Sequence, residues 1–83
     1  MMESPEVKTK IKEIIAGMFD ISPENVADQK PFAEMAKYDS MRALEFLAKA
    51  ENEFNVVIDP DLLTKMRTVD AAAEVILGLL HAV

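Results

Sequence analysis

The stretch Tyr38-Asp39-Ser40-Met41-Arg42-Ala43-Leu44-Glu45-Phe46-Leu47 decides how this chain folds. Asp39 is a residue type that caps helix N-termini. Apolar residues then recur at every third position (Met41, Leu44 and Leu47), which indicates an amphipathic helix that begins at Ser40. Unpaired backbone N–H groups and the positive end of the helix dipole meet at such a start and favour an anion. The stretch therefore predicts a modification site, where a phosphate ester on Ser40 would be stabilised.

Helices are predicted on both sides of the long first loop. Ser4-Pro5-Glu6 combines a serine N-cap, a proline at the first helical position and an acid in the first turn, so a first helix is expected over about residues 5–19. The second helix is predicted over residues 40–54. Its buried side is expected to consist of Leu44, Leu47, Ala48 and Phe54.

Two further start signals follow the second helix. Asp59-Pro60 predicts a helix of one or two turns that ends near Met66, and Thr68 is the predicted cap of a last helix. The apolar stripe of that last helix is Ala72, Val75, Ile76, Leu79 and Leu80. Residues 55–58 favour a β-strand by propensity, but the chain offers no second strand to pair with them, so no sheet is expected.

The first loop contains the longest segment without clear periodicity, residues 27–39. Ser22-Pro23-Glu24 before it predicts a single helical turn. Phe32 and Met35 are predicted to anchor the loop onto the helices. The predicted fold class is therefore all-α, a small bundle of three longer helices and one short helix with a long first loop.

Composition limits the classes of function. The 83 residues suit one domain, 1–83, and the net charge of −6 opposes a nucleic-acid partner and favours partners that present Lys or Arg. The chain has no cysteine, so it offers no disulfide or thiolate, and no metal site is expected. No secretory signal or apolar run of about 18 residues is present, so a cytoplasmic monomer without membrane contact is the expectation.

The same residues also allow other interpretations of Ser40. An Asp-Ser pair in a helical protein is most often only a cap. A hydrolase-type nucleophile is disfavoured, because His81 is the only histidine and no nucleophile elbow surrounds Ser40. Asp59-Pro60-Asp61 lacks the loop glycine and distal glutamate of a calcium-binding loop, so capping explains these acids.

The chain resembles acyl carrier proteins from about Val7 to Ile76. The features that carry the resemblance are the first helix, a long loop with a Phe eight residues before a serine, the triplet Asp39-Ser40-Met41, Glu45 one turn on, Glu51-Asn52-Glu53-Phe54, Ile58 before the short helix, and Thr68-Val69 at the start of the last helix. Only the triplet is a motif in the strict sense. The register of the flanking residues makes the resemblance specific.

The resemblance implies that Ser40, between Asp39 and Met41, receives 4′-phosphopantetheine from coenzyme A through a separate phosphopantetheinyl transferase. The thiol of the arm would hold acyl groups as thioesters, which suits a chain without cysteine. The resemblance implies a carrier and not an enzyme. Its expected partners are acyl-loading, condensing or modifying enzymes, whose basic patches bind the second helix. The docking residues expected there are Arg42, Glu45, Lys49, Glu51 and Glu53.

Several positions depart from the family pattern. Arg42 and Lys49 add positive charge to a face that is strongly acidic in fatty-acid carriers, Met41 replaces a leucine, and Ala36-Lys37-Tyr38 replaces a Leu-Gly-Ala type of approach. Like charge across an interface costs affinity. These departures favour a specialised lipid, polyketide or other secondary pathway over housekeeping fatty-acid biosynthesis.

The cargo is expected to be an acyl or polyketide chain. The apolar residues predicted to shelter it are Phe32, Met35, Met41, Phe46 and Leu62. An aminoacyl or peptidyl cargo is the alternative within the same class. From another class, a helical interaction module that is never modified would use the Asp-Ser pair only as a cap and would bind a basic partner through its acidic surface.

Overall fold

The computed structural model describes residues 3–81. Three α-helices form the bundle: α1 (Ser4–Phe19), α2 (Ser40–Phe54) and α3 (Val69–His81). Between them lie three 3₁₀ segments, at Pro23–Asn25, Phe32–Glu34 and Pro60–Lys65. No strand occurs among the described residues. The predicted all-α fold is confirmed, with Pro60–Lys65 as its short fourth helix, and α2 begins and ends where the sequence predicts.

The start of α1 differs from the predicted one by one residue. Glu3 is the N-cap, and its backbone N–H donates to Glu6 Oε1 at 3.3 Å in a capping box. Ser4, predicted as the cap, is the first residue of the helix, and Pro5 is the second. A proline is tolerated anywhere in the first turn, where its missing N–H has no acceptor, so it does not identify the cap by itself.

The core is apolar throughout, with no buried polar or charged side chain among residues 3–81. Aliphatic side chains of α1 and α3 meet the aromatic rings of α2 and the first loop in this core. The largest fully buried side chains are Phe32, Phe46, Ile11, Ile15, Met66, Ile76, Val7 and Val69. In α3, Ala72 and Ile76 are buried as predicted, and the rest of the predicted stripe is half-buried.

The buried side of α2 is rotated from the predicted one. Phe46, Leu47, Ala50 and Phe54 are buried, at the spacing of one helical stripe. Leu44 is 54% exposed and Ala48 is exposed, so their predicted burial is wrong. The ring of Phe46 lies against Phe32, with centroids 5.5 Å apart, and this large contact sets which side of α2 faces the core.

The first loop is held by both α1 and α3. The Phe32 N–H donates to the Arg67 carbonyl at 2.8 Å, and the Asp70 N–H donates to the Asp28 carbonyl at 3.0 Å. Lys12 forms an ion pair with Asp28 from α1. Phe32 is 2% exposed and Met35 is half-buried, so the prediction that they anchor the loop is confirmed.

The second connection, between α2 and α3, is ordered by side-chain caps. Asp59 Oδ1 accepts from the Asp61 N–H at 2.9 Å, and Thr68 Oγ1 accepts from the Ala71 N–H at 3.0 Å, which confirms both predicted caps. No helix among the described residues is both long enough and apolar enough to cross a bilayer. Within the same residues, no group of three or more acidic or histidine side chains is arranged to hold a metal ion.

Candidate functional site

Ser40 is exposed and occupies the first position of α2. Asp39 precedes it with extended backbone, and its Oδ1 accepts from the Arg42 N–H at 2.8 Å, so the predicted cap is confirmed. The Asp39 carbonyl also accepts from the Ala43 N–H at 3.0 Å. The N–H groups of Ser40 and Met41, the first two residues of the helix, have no acceptor within the helix and are directed toward its N-terminal end.

The first turn of α2 differs in charge from the other described helical segments. Each of the other five carries an acid in its first turn: Glu6, Glu24, Glu34, Asp61 and Asp70. The first turn of α2 carries none, and Arg42 is its third residue. An acid normally stabilises a helix start through the helix dipole. The Asp39 carboxylate at the N-cap is therefore the negative charge at the start of α2, since the first turn adds no acid to it.

The segment before Ser40 is anchored by aromatic packing. The Tyr38 ring stacks on Phe19 of α1 and also contacts Phe32, with centroid distances of 6.1 Å in both pairs. Burial raises the pKa of the Tyr38 phenol, because the charged phenolate would lose hydration there. Sequence reasoning missed these ring pairs, because they form between α1 and the first loop and within an irregular segment, where no local periodicity predicts contacts. Through Tyr38, the backbone that delivers Ser40 is fixed to the core.

Lys37 has an unusual backbone conformation. Its φ is 69°, in the left-handed region that favours glycine, and the turn is closed by the Tyr38 N–H, which donates to the Met35 carbonyl at 3.2 Å. A non-glycine residue in this region costs about 1–2 kcal/mol. Lys37, three residues before Ser40, thus occupies a position where a glycine would be less strained.

The predicted docking residues lie along α2 and have different surroundings. Arg42 Nη1 lies 3.0 Å from Glu45 Oε1, and Lys49 is exposed. Glu53 Oε2 lies 3.4 Å from Lys10 Nζ of α1. Glu51 is half-buried, and its Oε2 accepts from the Ile58 N–H at 2.7 Å, so this acid closes the turn after α2. All three carboxylates of this set, those of Glu45, Glu51 and Glu53, therefore already have intramolecular partners.

Met41 and Leu44, which sequence reasoning placed in the acyl pocket and on the buried side of α2, lie on the surface close to Ser40 in the chain, and Val57 is exposed beyond the other end of α2. Met41 is 74% exposed and directly follows the serine, and Leu44 lies one turn further on the same helix. Val57, in the connection after α2, is 86% exposed. Their exposure could not be read from periodicity, because an apolar docking side chain and an apolar core side chain have the same spacing on a helix.

A cavity of about 680 Å³ lies beside the approach to Ser40. It is lined by the end of α1, the first loop and one residue of α2: Met18, Phe19, Asp20, Ile21, Asn25, Val26, Ala27, Lys30, Phe32, Glu34, Met35, Ala36, Lys37 and Arg42. Of the predicted pocket residues, Phe32 and Met35 line it, while Phe46 belongs to the closed core and Leu62 lies on the 3₁₀ segment Pro60–Lys65. Met41 is outside it, on the exposed side of α2.

The helical bundle with an exposed serine at the start of its second helix matches a known class of protein. The family model described as "Phosphopantetheine attachment site" matches residues 9–76, which is most of the chain. Similarity to individual acyl carrier proteins is also high. The chain is 34% identical over 68 residues to that of Thermosynechococcus vestitus, covering 82% of this chain and 84% of the relative. It is 31% identical over 75 residues to that of Lactobacillus acidophilus, covering 90% and 94%.

Solved structures give the same result. An acyl carrier protein from Enterococcus faecalis superposes with a TM-score of 0.76 at 33% identity, covering 94% of this chain and 99% of that one. A free-standing peptidyl carrier protein from Acinetobacter baumannii superposes with a TM-score of 0.83 at 23% identity, covering 95% and 98%, which shows the shared fold alone. The chain belongs to the acyl carrier protein family.

Membership establishes the general function. Acyl carrier proteins are carriers without catalytic activity of their own, and they hold their cargo on a covalently attached 4′-phosphopantetheine. The family therefore implies a phosphopantetheinyl transferase and acyl-handling enzymes as partners. The start of α2 fits this group, because it combines an exposed hydroxyl, free backbone N–H groups and a first turn without an acid.

Proposed function

We propose that Ser40 is the residue that carries 4′-phosphopantetheine, and that the arm holds acyl or polyketide intermediates as thioesters. The observation that carries this proposal is the position of Ser40, exposed at the first residue of α2 next to the Asp39 cap. On attachment, the serine oxygen loses its proton and bonds to the phosphorus that joins pantetheine to the rest of coenzyme A, and adenosine 3′,5′-bisphosphate leaves. The new phosphodiester then lies where the helix start favours an anion.

The transferase must supply the catalytic groups for this step. The nearest chain neighbours of Ser40 are Asp39 and Met41, and the Asp39 carboxylate already accepts a hydrogen bond from the Arg42 N–H. His81, the only histidine, is the last residue of α3. Since the chain contains no cysteine, the thioester sulfur also has to come from the arm.

An acyl cargo is favoured by the lining of the cavity. Met18, Ile21 and Met35 are flexible or branched apolar side chains, which adapt to hydrocarbon of variable shape. Phe32 forms a rigid part of the same wall. Loading with a medium-chain acyl group should therefore shift the methyl resonances of Met18, Ile21 and Met35, whereas an aminoacyl group of similar length should leave them unmoved, because its ammonium resists desolvation. The reverse result would favour the aminoacyl alternative.

Docking is proposed on the exposed surface of α2. Arg42, Glu45, Lys49, Glu51 and Glu53 remain the proposed charged contacts, and the exposed Met41 and Leu44 add an apolar centre between them. An apolar centre with a charged rim is typical of protein interfaces. The mixed charge of this surface supports a specialised lipid or secondary-metabolite pathway, and we propose that the chain acts there as one cytoplasmic, monomeric carrier domain.

The attachment is tested by replacing Ser40. Incubation with coenzyme A and a promiscuous phosphopantetheinyl transferase should add one phosphopantetheinyl group to the wild type and none to Ser40→Ala, as measured by intact-protein mass spectrometry. The matched control is Ser4→Ala, because Ser4 is likewise the first residue of an α-helix. This control should be modified completely.

Two results would contradict the proposal. A wild type of unchanged mass would leave the Asp-Ser pair as a cap only and would favour the unmodified interaction module. An arm that still attaches to Ser40→Ala would move the site elsewhere. Circular dichroism of each variant separates a failure to fold from a failure to be modified, since loss of a side chain at this exposed position should change stability only slightly.

A further inference from the structure

The acids of α2 are all engaged within the molecule. Glu45 Oε1 lies 3.0 Å from Arg42 Nη1 on the same helix. Glu53 Oε2 lies 3.4 Å from Lys10 Nζ of α1, and the Glu51 carboxylate accepts a backbone N–H in the turn after α2. Within α2, all of which the structure describes, no acid is therefore free of an internal partner.

Arg42 and Glu45 form the ion pair of α2 that lies nearest to Ser40 in the chain. The two residues are three positions apart, so they are neighbours on one side of the helix, and their side chains are 45% and 37% exposed. Met41 and Leu44 form an exposed apolar row beside them. A protein that reaches Ser40 therefore meets this ion pair and the apolar row in the first turns of α2.

Arg42 shields the Glu45 carboxylate from an incoming cation. A lysine or arginine of a partner has to displace the guanidinium from Glu45 or lie beside it, and like charges in an interface cost affinity. A carboxylate of a partner meets the opposite situation. The guanidinium has five N–H donors, so Arg42 can bind that carboxylate while it keeps its contact with Glu45. The ion pair is thus complementary to an acid and not to a base.

We infer that Arg42 is a specificity-determining residue for docking, which selects enzymes that present a carboxylate beside an apolar patch to the start of α2. The inference rests on the proposed docking on α2 and attachment at Ser40. The net charge of −6 attracts basic surfaces from a distance, but salt screens charges beyond about 8 Å, so the groups in contact decide which surface binds. Lys49, exposed one turn beyond Glu45, adds a second cation to the same side of the helix.

The rate of arm attachment measures docking at this surface, because the transferase has to reach Ser40. The probes are a promiscuous phosphopantetheinyl transferase with a basic docking surface, and the same transferase with one basic residue of that surface replaced by glutamate. With the basic transferase, Arg42→Gln should raise kcat/KM about threefold, since the shielding cation is lost. With the charge-reversed transferase, the same substitution should lower kcat/KM about threefold.

Two features of the rates separate docking from other effects. The change should lie in KM with kcat unaltered, because Arg42 acts in binding and not on the reacting atoms. The wild type and the variant are compared within each transferase, so a loss of overall activity in the charge-reversed enzyme does not affect the comparison. Circular dichroism of each variant verifies that it is folded.

A double-mutant cycle with Glu45 isolates the shielding. In the wild-type background, Glu45→Gln should lower kcat/KM with the basic transferase by less than about twofold, because its carboxylate is already engaged. In the Arg42→Gln background, the same substitution should lower it about fourfold, since the carboxylate is then open to a cation of the transferase.

The matched control is Arg67→Gln. It makes the same change of charge at an exposed position in the connection before α3. With either transferase, this control should change kcat/KM by less than about 1.5-fold, because screening weakens the effect of a charge outside the contact.

Three results would overturn the inference. With the basic transferase, a kcat/KM for Arg42→Gln that does not rise would show that Arg42 does not disfavour a base. With the charge-reversed transferase, a kcat/KM that does not fall would show that Arg42 does not favour an acid. Equal losses from Glu45→Gln in the two backgrounds would show that Arg42 does not shield Glu45. If mass spectrometry finds no arm on the wild type with either transferase, the attachment proposal fails and the inference fails with it.

Discussion

The starts of α1 and α2 share an acidic N-cap and a serine, but they differ in the charge of the third helical residue. Each helix begins with a serine, Ser4 or Ser40, that follows an acidic N-cap, and each has a charged residue at its third position. In α1 that residue is Glu6, which satisfies the helix dipole and completes a capping box with Glu3. In α2 it is Arg42, which does not. The start of α1 thus carries two carboxylates, whereas the start of α2 carries the Asp39 carboxylate and the Arg42 cation, so an added anion is repelled less at the start of α2.

The two helices also differ in the apolar surface of their first turns. Val7 of α1 is fully buried, whereas Met41 and Leu44 of α2 are mostly exposed. α2 is fixed to the core further along, at Phe46, whose ring packs on Phe32. This arrangement leaves the beginning of α2 free to contact partner proteins while the fold is stabilised by the remainder of the helix.

The largest expected effect tests whether α2 is held to the core at Phe46 and not at Leu44. Phe46→Ala should lower the free energy of unfolding by about 3–5 kcal/mol, because it leaves a cavity against Phe32. Leu44→Ala should change it by less than about 0.5 kcal/mol, since this side chain is largely exposed. Urea unfolding followed by circular dichroism measures both. Similar losses in the two variants would show that α2 is buried on the side predicted from its sequence.

A smaller effect compares the third positions of the two helices. Glu6→Gln keeps a side chain able to form the capping box but removes its charge, so it should destabilise the protein by about 0.3–1 kcal/mol. Arg42→Gln should change the free energy of unfolding of the unmodified protein by less than about 0.5 kcal/mol. Removing the cation ends its repulsion by the helix dipole, and this gain offsets the loss of the exposed ion pair with Glu45.

The same substitution should act differently once the arm is attached. Arg42→Gln should then destabilise the phosphopantetheinylated protein at low salt, since the phosphodiester loses a cationic neighbour, and the difference should shrink at high salt. Urea unfolding of the two forms measures the change. If the substitution changes the free energy of unfolding equally in both forms, Arg42 does not interact with the phosphodiester.

The smallest expected effect concerns Tyr38, which fixes the approach to α2. Burial raises its phenol pKa in the folded state above the ordinary value of 10.0. The unfolded chain therefore loses this proton at lower pH than the folded one. The stability that the neutral phenol contributes is present below pH about 10 and is lost as pH rises through the folded pKa. Phenolate absorbance reports the folded pKa directly, because Tyr38 is the only tyrosine.

Tyr38→Phe keeps the ring contacts and removes the titrating group. Its alkaline loss of stability should therefore be smaller than that of the wild type, while stability at neutral pH stays close to the wild-type value. Equal alkaline losses in the two proteins would show that the phenol is not desolvated in the folded state.

The helices and their caps were predictable because their signals are local. Asp39, Asp59 and Thr68 cap as predicted, and the bounds of α2 coincide with the predicted ones. The wrong cap at Ser4 and the wrong burial of Leu44 have different causes. At the start of α1, Glu3 and Ser4 are adjacent and both are able to cap the helix, so the sequence does not decide between them. The exposure of Leu44 depends instead on the contact between Phe46 and Phe32, which sets the side of α2 that is buried.

The resemblance to acyl carrier proteins indicated the class of function, and the sequence by itself determined an all-helical chain with an acid-capped serine at the start of its second helix. These features depend on hydrogen bonds and dipoles within a few residues of each other. Only the tertiary structure decided which side of α2 is buried and that Lys30, Lys37 and Arg42 share one cavity. Such arrangements depend on the packing of residues distant in the chain, and the spacing of apolar or charged residues does not encode it.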